Sequence, residues 1–106
     1  MKITEQEMKK EILSLCKKAL TSNIDYDTVM DLAMDFFLLK RKNSTMFDGI
    51  CVTLPCFSKV SDDILRHYLL DREGYVDTSQ FAVDNETNKR FREEFKRRTD
   101  TIKERQ

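Results

Sequence analysis

Residues 29–39 read Val-Met-Asp-Leu-Ala-Met-Asp-Phe-Phe-Leu-Leu, and this stretch decides the fold. Nine of its eleven residues are apolar, and the two exceptions, Asp31 and Asp35, stand four positions apart. On a helix these two aspartates share one narrow stripe with Asp27, and nearly all of the remaining circumference is apolar. A run of this length is too short to span a bilayer. The stretch therefore predicts a central helix that neighbouring elements cover.

The composition favours a helical domain. The chain has 106 residues, of which 40% are hydrophobic and 36% are charged, with two glycines and one proline. So few turn-forming residues suit long helices joined by short connections. A chain of this length can bury an ordinary core as one domain. We therefore predict a mostly α fold, a single helical domain over residues 1–106 with about four helices.

Local signals mark where each predicted helix begins. The first follows Thr4 and Glu7, which have the spacing of a capping box in which each side chain satisfies the other's free backbone N–H. The second, third and fourth helices are predicted to begin near Asp25, Ser61 and Asn85, since short polar side chains of this kind cap helix starts.

A minor two-stranded β element completes the predicted fold. The segment 43–45 predicts a break after the second helix. Residues 49–54, Gly-Ile-Cys-Val-Thr-Leu, contain enough β-branched side chains for a short buried strand, which Pro55 would stop. Residues 74–77 are its predicted pairing partner. The alternative for 49–54 is an extended apolar loop packed on the second helix.

The charges are segregated although their sum is zero, with nineteen basic and nineteen acidic residues. Residues 23–39 carry four acids and no base, whereas residues 88–106 carry eight bases against four acids. This terminal segment is a charged C-terminal helix whose large apolar side chains are Phe91, Phe95 and Ile102. Because so polar a helix has little apolar surface to bury, it needs either a thin docking seam on the domain or a partner, and we expect its final turns to project or fray.

The cysteines predict a reduced protein without a metal. An odd number of cysteines and a charged N-terminus indicate a cytoplasmic protein rather than a disulfide-stabilised secreted one. Cys51 and Cys56 are five positions apart, which on a strand directs their side chains to opposite faces. A zinc site needs four ligands, and only His67 and the distant Cys16 could join these two cysteines. We therefore expect no zinc site, no other metal and no cofactor. The cysteines are interpreted as small buried apolar residues.

Residues 71–77, Asp-Arg-Glu-Gly-Tyr-Val-Asp, resemble the middle of an EF-hand loop, with Gly74 at the turn position. Leu69 and Gln80 stand where such a loop has its first aspartate and its bidentate glutamate. Calcium binding is therefore not expected, and the segment is interpreted as a helix C-cap followed by a turn.

The sequence indicates a protein that is not an enzyme. Two glycines cannot build a phosphate-binding loop, and His67 has no nucleophile motif beside it, so no catalytic residue is predicted. We predict a small regulatory or inhibitory accessory protein that binds another protein, without membrane contact. Short, charged chains of this kind are typical of viruses and mobile elements. The alternative is a regulator that binds nucleic acid through its basic C-terminal helix.

The predicted protein-binding residues lie in the C-terminal helix. Phe91 and Phe95, one turn apart, can dock together on the core or on a second copy and so anchor the helix, and four basic residues follow them to reach an acidic protein surface. A second copy of the chain is a further predicted partner, because the acidic stripe of the second helix supplies the opposite charge. The basic residues are Arg97, Arg98, Lys103 and Arg105.

Nucleic-acid binding would use the proximal part of the same helix. Six basic residues over ten positions would contact phosphates there. They are Lys89, Arg90, Arg92, Lys96, Arg97 and Arg98.

Overall fold

The computed structural model describes residues 2–22, 25–60 and 85–104, and these ranges are mostly helical, which confirms the predicted fold class. None of the helices found there combines the length and the apolar character needed to span a bilayer. The predicted helix that begins at Ser61 lies outside the described residues. Within them the helices are α1 (Glu5–Thr21), α2 (Tyr26–Lys42), α3 (Ser44–Cys51), α4 (Pro55–Val60) and α5 (Asn85–Glu104).

α1 begins at the predicted capping box. The Glu7 N–H donates to Thr4 Oγ1, and the Thr4 N–H donates to Glu7 Oε1, each at 3.1 Å. Both bonds satisfy donors that a helix start leaves free. The buried residues of α1 recur at helical spacing and form one apolar stripe: Met8, Ile12, Cys16 and Ala19.

α2 is the central element of the described fold and packs against α1, α3 and α5. Its start is capped by Asp25, whose Oδ1 accepts the Thr28 N–H at 2.8 Å. The aspartate stripe lies on the solvent side, with Asp27 and Asp31 exposed and Asp35 half-buried. The rest of the helix enters the core through Val29, Met30, Leu32, Ala33, Phe36 and Leu39.

The predicted strand at residues 49–54 is wrong. α3 continues to Cys51, and a turn follows it. Phe47, Ile50 and Cys51 are the buried residues of α3, at positions i, i+3 and i+4 of a helix. Burial of this apolar stripe on α1 and α2 outweighs the β propensity of the branched side chains. The other predicted strand, 74–77, lies outside the described residues, and the described ranges contain no strand.

The break predicted at 43–45 is a single residue. Asn43 is both the C-cap of α2 and the N-cap of α3. Its backbone is extended, with φ −165° and ψ 94°, and its side-chain oxygen accepts the Met46 N–H at 3.1 Å. This bond satisfies a free donor at the start of α3, so the chain turns a corner without a linker.

Aromatic contacts join α4 to the helices beneath it. The Phe57 ring lies edge-on to Phe36 of α2 at 5.7 Å and to Phe47 of α3 at 5.9 Å, centroid to centroid. Such pairs add roughly 0.5–1.5 kcal/mol beyond the burial of their area. α4 also packs along α1, where Val60 is fully buried. The short helix therefore closes one side of the core.

α5 lies along α2 and runs in the same direction. Near the start of α2, Tyr26 meets Phe91 edge-on at 5.4 Å, and further along, Phe37 meets Phe95 at 6.0 Å. The Lys103 Nζ lies 5.9 Å from the centroid of the Phe37 ring. Contact between the two helices therefore continues into the last turn of α5.

Candidate protein-binding surfaces

The two predicted apolar anchors are used inside the molecule. Phe91 is 0% exposed, and its ring stacks on that of Phe95 with centroids 6.5 Å apart and planes 6° from parallel. Tyr26 and Phe37 of α2 cover the pair from the other side. Phe91 therefore offers no surface to a partner, whereas Phe95, which is half-buried, offers part of its ring.

Glu94 organises the predicted basic residues, and the sequence reasoning missed it. Its Oε1 lies 3.6 Å from Arg97 Nη2, and its Oε2 lies 3.6 Å from Arg98 Nη2. The Tyr26 hydroxyl donates to Glu94 Oε2 at 3.2 Å, and burial together with this bond raises the pKa of Tyr26. The Arg90 guanidinium lies over the same tyrosine ring, 4.7 Å from its centroid. One carboxylate thus holds two arginines and ties α5 to α2.

Lys96 is paired on the same helix. Its Nζ donates to Asp100 Oδ2 at 2.9 Å, and this bond lowers the pKa of the Asp100 carboxyl and raises that of Lys96. Both Lys96 and Arg97 remain open to solvent, with 78% and 73% of their side chains exposed. The solvent side of α5 therefore alternates positive and negative charge.

The other predicted basic residues are dispersed. Lys89 is exposed and Arg92 half-buried, while Lys103 covers the Phe37 ring from above. Arg105 lies outside the described residues. The structure thus gathers Arg97 and Arg98 at one carboxylate but does not bring Lys103 to them.

The basic residues at the end of α2, Lys40, Arg41 and Lys42, do not join the basic residues of α5 in one positive surface. Lys40 Nζ lies 3.4 Å from Asp48 of α3, and Lys42 Nζ lies 3.6 Å from Glu11 of α1. Between them the Arg41 guanidinium lies over the Phe37 ring of the same helix, with Cζ 5.7 Å from the ring centroid. These charges join helices within the domain instead of forming a phosphate-binding surface with α5.

An open groove runs between α1 and α2. Its apolar lining consists of Leu15, Leu38 and Leu39, and the Leu38 residue is 44% exposed. Charged and polar side chains stand along both walls, and the groove continues past Lys10 toward the start of α1. The wall residues are Glu11, Ser14, Asp35 and Lys42.

Three cysteines from three different helices converge in the core. Cys16 of α1 and Cys51 of α3 are buried, and Cys56 of α4 is half-buried. Burial and the neighbouring Cys56 thiol raise the pKa of Cys16 to about 12. Burial and the Asp48 carboxylate raise the pKa of Cys51 to about 12. Among the residues that the structure describes, no group of three or more acidic, histidine or cysteine side chains is arranged to hold a metal.

The buried thiols predict that stability falls at high pH. The native protein keeps the protons of Cys16 and Cys51 up to about pH 12, whereas the unfolded chain releases them near the ordinary pKa of 9.0. The native state then binds more protons than the unfolded state, so the free energy of unfolding decreases as the pH rises from 9 toward 12. Urea unfolding at several pH values measures this slope.

The matched control is the Cys16→Ala, Cys51→Ala variant, which keeps every other group that titrates in this range. Its stability should fall less steeply with pH than that of the wild type. Equal slopes would show that these thiols do not carry the effect. At neutral pH, reductant and chelator should each leave thermal unfolding unchanged, because the thiols are interpreted as packing groups.

Comparison of the chain with protein-family models, curated proteins and solved structures gives no significant match.

Proposed function

We propose that this chain is a small, non-enzymatic regulatory or inhibitory protein that binds another protein through the solvent side of α5. The observation that carries the proposal is the fixed, mixed-charge surface of this docked helix, built around Glu94, Arg97 and Arg98. The free thiols suit the reducing conditions of the cytoplasm, where we expect the protein to act.

A mixed-charge surface fits a protein partner better than a phosphate backbone. A protein presents both signs of charge, so carboxylates and guanidinium groups of α5 can each find a complement. A nucleic acid presents phosphates alone, and these would meet the Glu94 or Asp100 carboxylate beside Lys96, Arg97 and Arg98. The packing of α5 on α2 also fixes the helix before binding, so less conformational freedom is lost on association.

Nucleic-acid binding is the second candidate function. Lys89, Lys96 and Arg97 are exposed on α5, and their charges are accessible to phosphates. A positive result for this candidate would be direct binding of a bare oligonucleotide with a steep dependence on salt.

Charge reversal on α5 should slow association with the partner. Arg97→Glu with Arg98→Glu replaces attraction toward an acidic surface by repulsion, so we expect the association rate to fall about tenfold at low salt. At high salt the difference should shrink, because screening shortens the reach of exposed charges. The partner is isolated by affinity capture from nuclease-treated lysate of the source cells, and binding is followed by surface plasmon resonance.

The matched control reverses two lysines of α1, Lys9→Glu with Lys17→Glu, which changes the net charge equally but leaves α5 intact. Equal slowing in the control would assign the effect to net charge and contradict a binding surface on α5. Fluorescence anisotropy with a labelled oligonucleotide forms the second arm. Tight, salt-sensitive binding that the α5 reversal abolishes would replace the protein-binding proposal with nucleic-acid binding.

A further inference from the structure

We propose that Cys16 and Cys56 form a peroxide-sensitive thiol pair, in which oxidation of Cys56 leads to a disulfide bond between α4 and α1. The two residues are distant in sequence and belong to different helices. Neither residue lies on α5. This modification site is therefore independent of the function proposed above.

The packing of α4 on α1 brings the two thiols together. Cys56 and Val60 are one turn apart on α4, and Val60 is fully buried where α4 packs along α1. Cys16 lies on the buried stripe of α1. The Cys16 and Cys56 side chains share a hydrogen bond. Two sulfurs at hydrogen-bond distance need only a small approach to reach the roughly 2.05 Å of a disulfide bond.

The different exposure of the two thiols gives them different roles. Cys56 is half-buried and packs at the edge of the core, so a small peroxide molecule can reach it from solvent. Cys16 is 1% exposed and is shielded from the oxidant. An accessible thiol with a second thiol beside it is the arrangement found at redox-sensing cysteines. Cys51 is buried close to both and is the competing partner, but the hydrogen bond favours Cys16.

The oxidation proceeds in two steps, with hydrogen peroxide as the oxidant. The Cys56 sulfur attacks one peroxide oxygen, the O–O bond breaks, and a water molecule leaves as Cys56 becomes a sulfenic acid. In this step the sulfur is oxidised and the peroxide is reduced. The Cys16 sulfur then attacks the Cys56 sulfur, so that the S–S bond forms and the S–O bond breaks. The thiol proton of Cys16 leaves with the hydroxyl group as a second water molecule.

The disulfide would fix α4 on α1 and stabilise the fold. A covalent bond between residues 16 and 56 restricts the unfolded chain more than the native one, because their helices already pack together. We expect the midpoint of thermal unfolding to rise by about 10 °C on oxidation. In a reducing compartment such a bond is transient, so the gain would last only while peroxide is present.

Treatment of the reduced protein with hydrogen peroxide tests the proposal. The number of thiols that can be titrated in urea should fall from three to one, the midpoint should rise, and dithiothreitol should reverse both changes. Trypsin places Cys16 in peptide 11–17, whereas Cys51 and Cys56 share peptide 43–59. The proposed disulfide joins these two peptides, and a bond between Cys51 and Cys56 stays within one. Fragmentation of the joined peptides in the mass spectrometer identifies the linked cysteine in the wild type itself.

Two variants provide the matched controls, and circular dichroism establishes that both are folded. Cys51→Ala removes the third thiol and should respond to peroxide as the wild type does. Cys56→Ser keeps two buried thiols and should lose neither under the same treatment. Three thiols that survive peroxide in the wild type would overturn the proposal. So would a disulfide to Cys51, a disulfide between two chains, a Cys56→Ser variant that still forms the cross-link, or an oxidised protein whose midpoint does not rise.

Discussion

Replacing Phe91 with alanine is expected to lower the free energy of unfolding by about 3–5 kcal/mol. Phe91 is 0% exposed, and its ring contacts Tyr26 and Phe95. Alanine would leave a cavity between α2 and α5 that the surrounding rings can fill only in part. The loss is a large share of the roughly 5–15 kcal/mol that stabilises a typical domain. Urea unfolding followed by circular dichroism measures it.

Phe95→Ala is the control for this substitution. Phe95 is half-buried, so its replacement should lower the free energy of unfolding by less than that of Phe91. The two outcomes distinguish docking on the core from contact with a partner as the role of Phe91. A stable Phe91→Ala variant that no longer captured its partner would restore Phe91 as an external anchor. An unstable variant supports the packing of α5 on α2 as part of the core.

Phe36→Ala should lower the free energy of unfolding by a similar amount, about 3–5 kcal/mol. Phe36 is 5% exposed at the centre of α2 and meets the Phe57 ring of α4 edge-on at 5.7 Å. The substitution therefore removes a contact between the central helix and a helix on the other side of the core. Thermal and urea unfolding of the purified variant measure the loss.

The control for Phe36 is Leu38→Ala, two positions along the same helix, where the side chain is 44% exposed. Its free energy of unfolding should stay within about 1 kcal/mol of the wild type. If Phe36→Ala also stayed within that range, α2 would not be the centre of stability.

The helices that the sequence predicts well are those with strong local signals. The capping pair of Thr4 and Glu7 and the cap at Asp25 depend on side chains only three positions apart, so the chain specifies them without its tertiary structure. The apolar stripes of α1 and α2 are long enough to fix a helical period.

The secondary structure of residues 49–54 is harder to predict because the apolar run is short. Ile50 and Cys51 belong equally well to a buried strand and to the last turn of a helix, and periodicity cannot separate the two over so few positions. The start of α3 at Ser44, capped by Asn43, resolves the ambiguity only once the burial of Phe47 against the other helices is known.

The candidate site was predictable in composition but not in contacts. The sequence shows that the C-terminal helix is basic, and the positions of Arg97 and Arg98 three and four residues after Glu94 could have indicated their pairing. The bond from Tyr26 to Glu94 joins residues 68 positions apart, which no local pattern encodes. The convergence of the cysteines depends on helix packing in the same way.

The corner at Asn43 has a consequence for how the molecule opens. Because one residue ends α2 and begins α3, no flexible segment lets either helix unwind or swing while the other keeps its place. Loss of the bond from the Met46 N–H to the Asn43 side chain would expose the first turn of α3 and the last turn of α2 together. The two helices should therefore exchange their amide hydrogens with solvent as one cooperative unit, with a shared opening free energy.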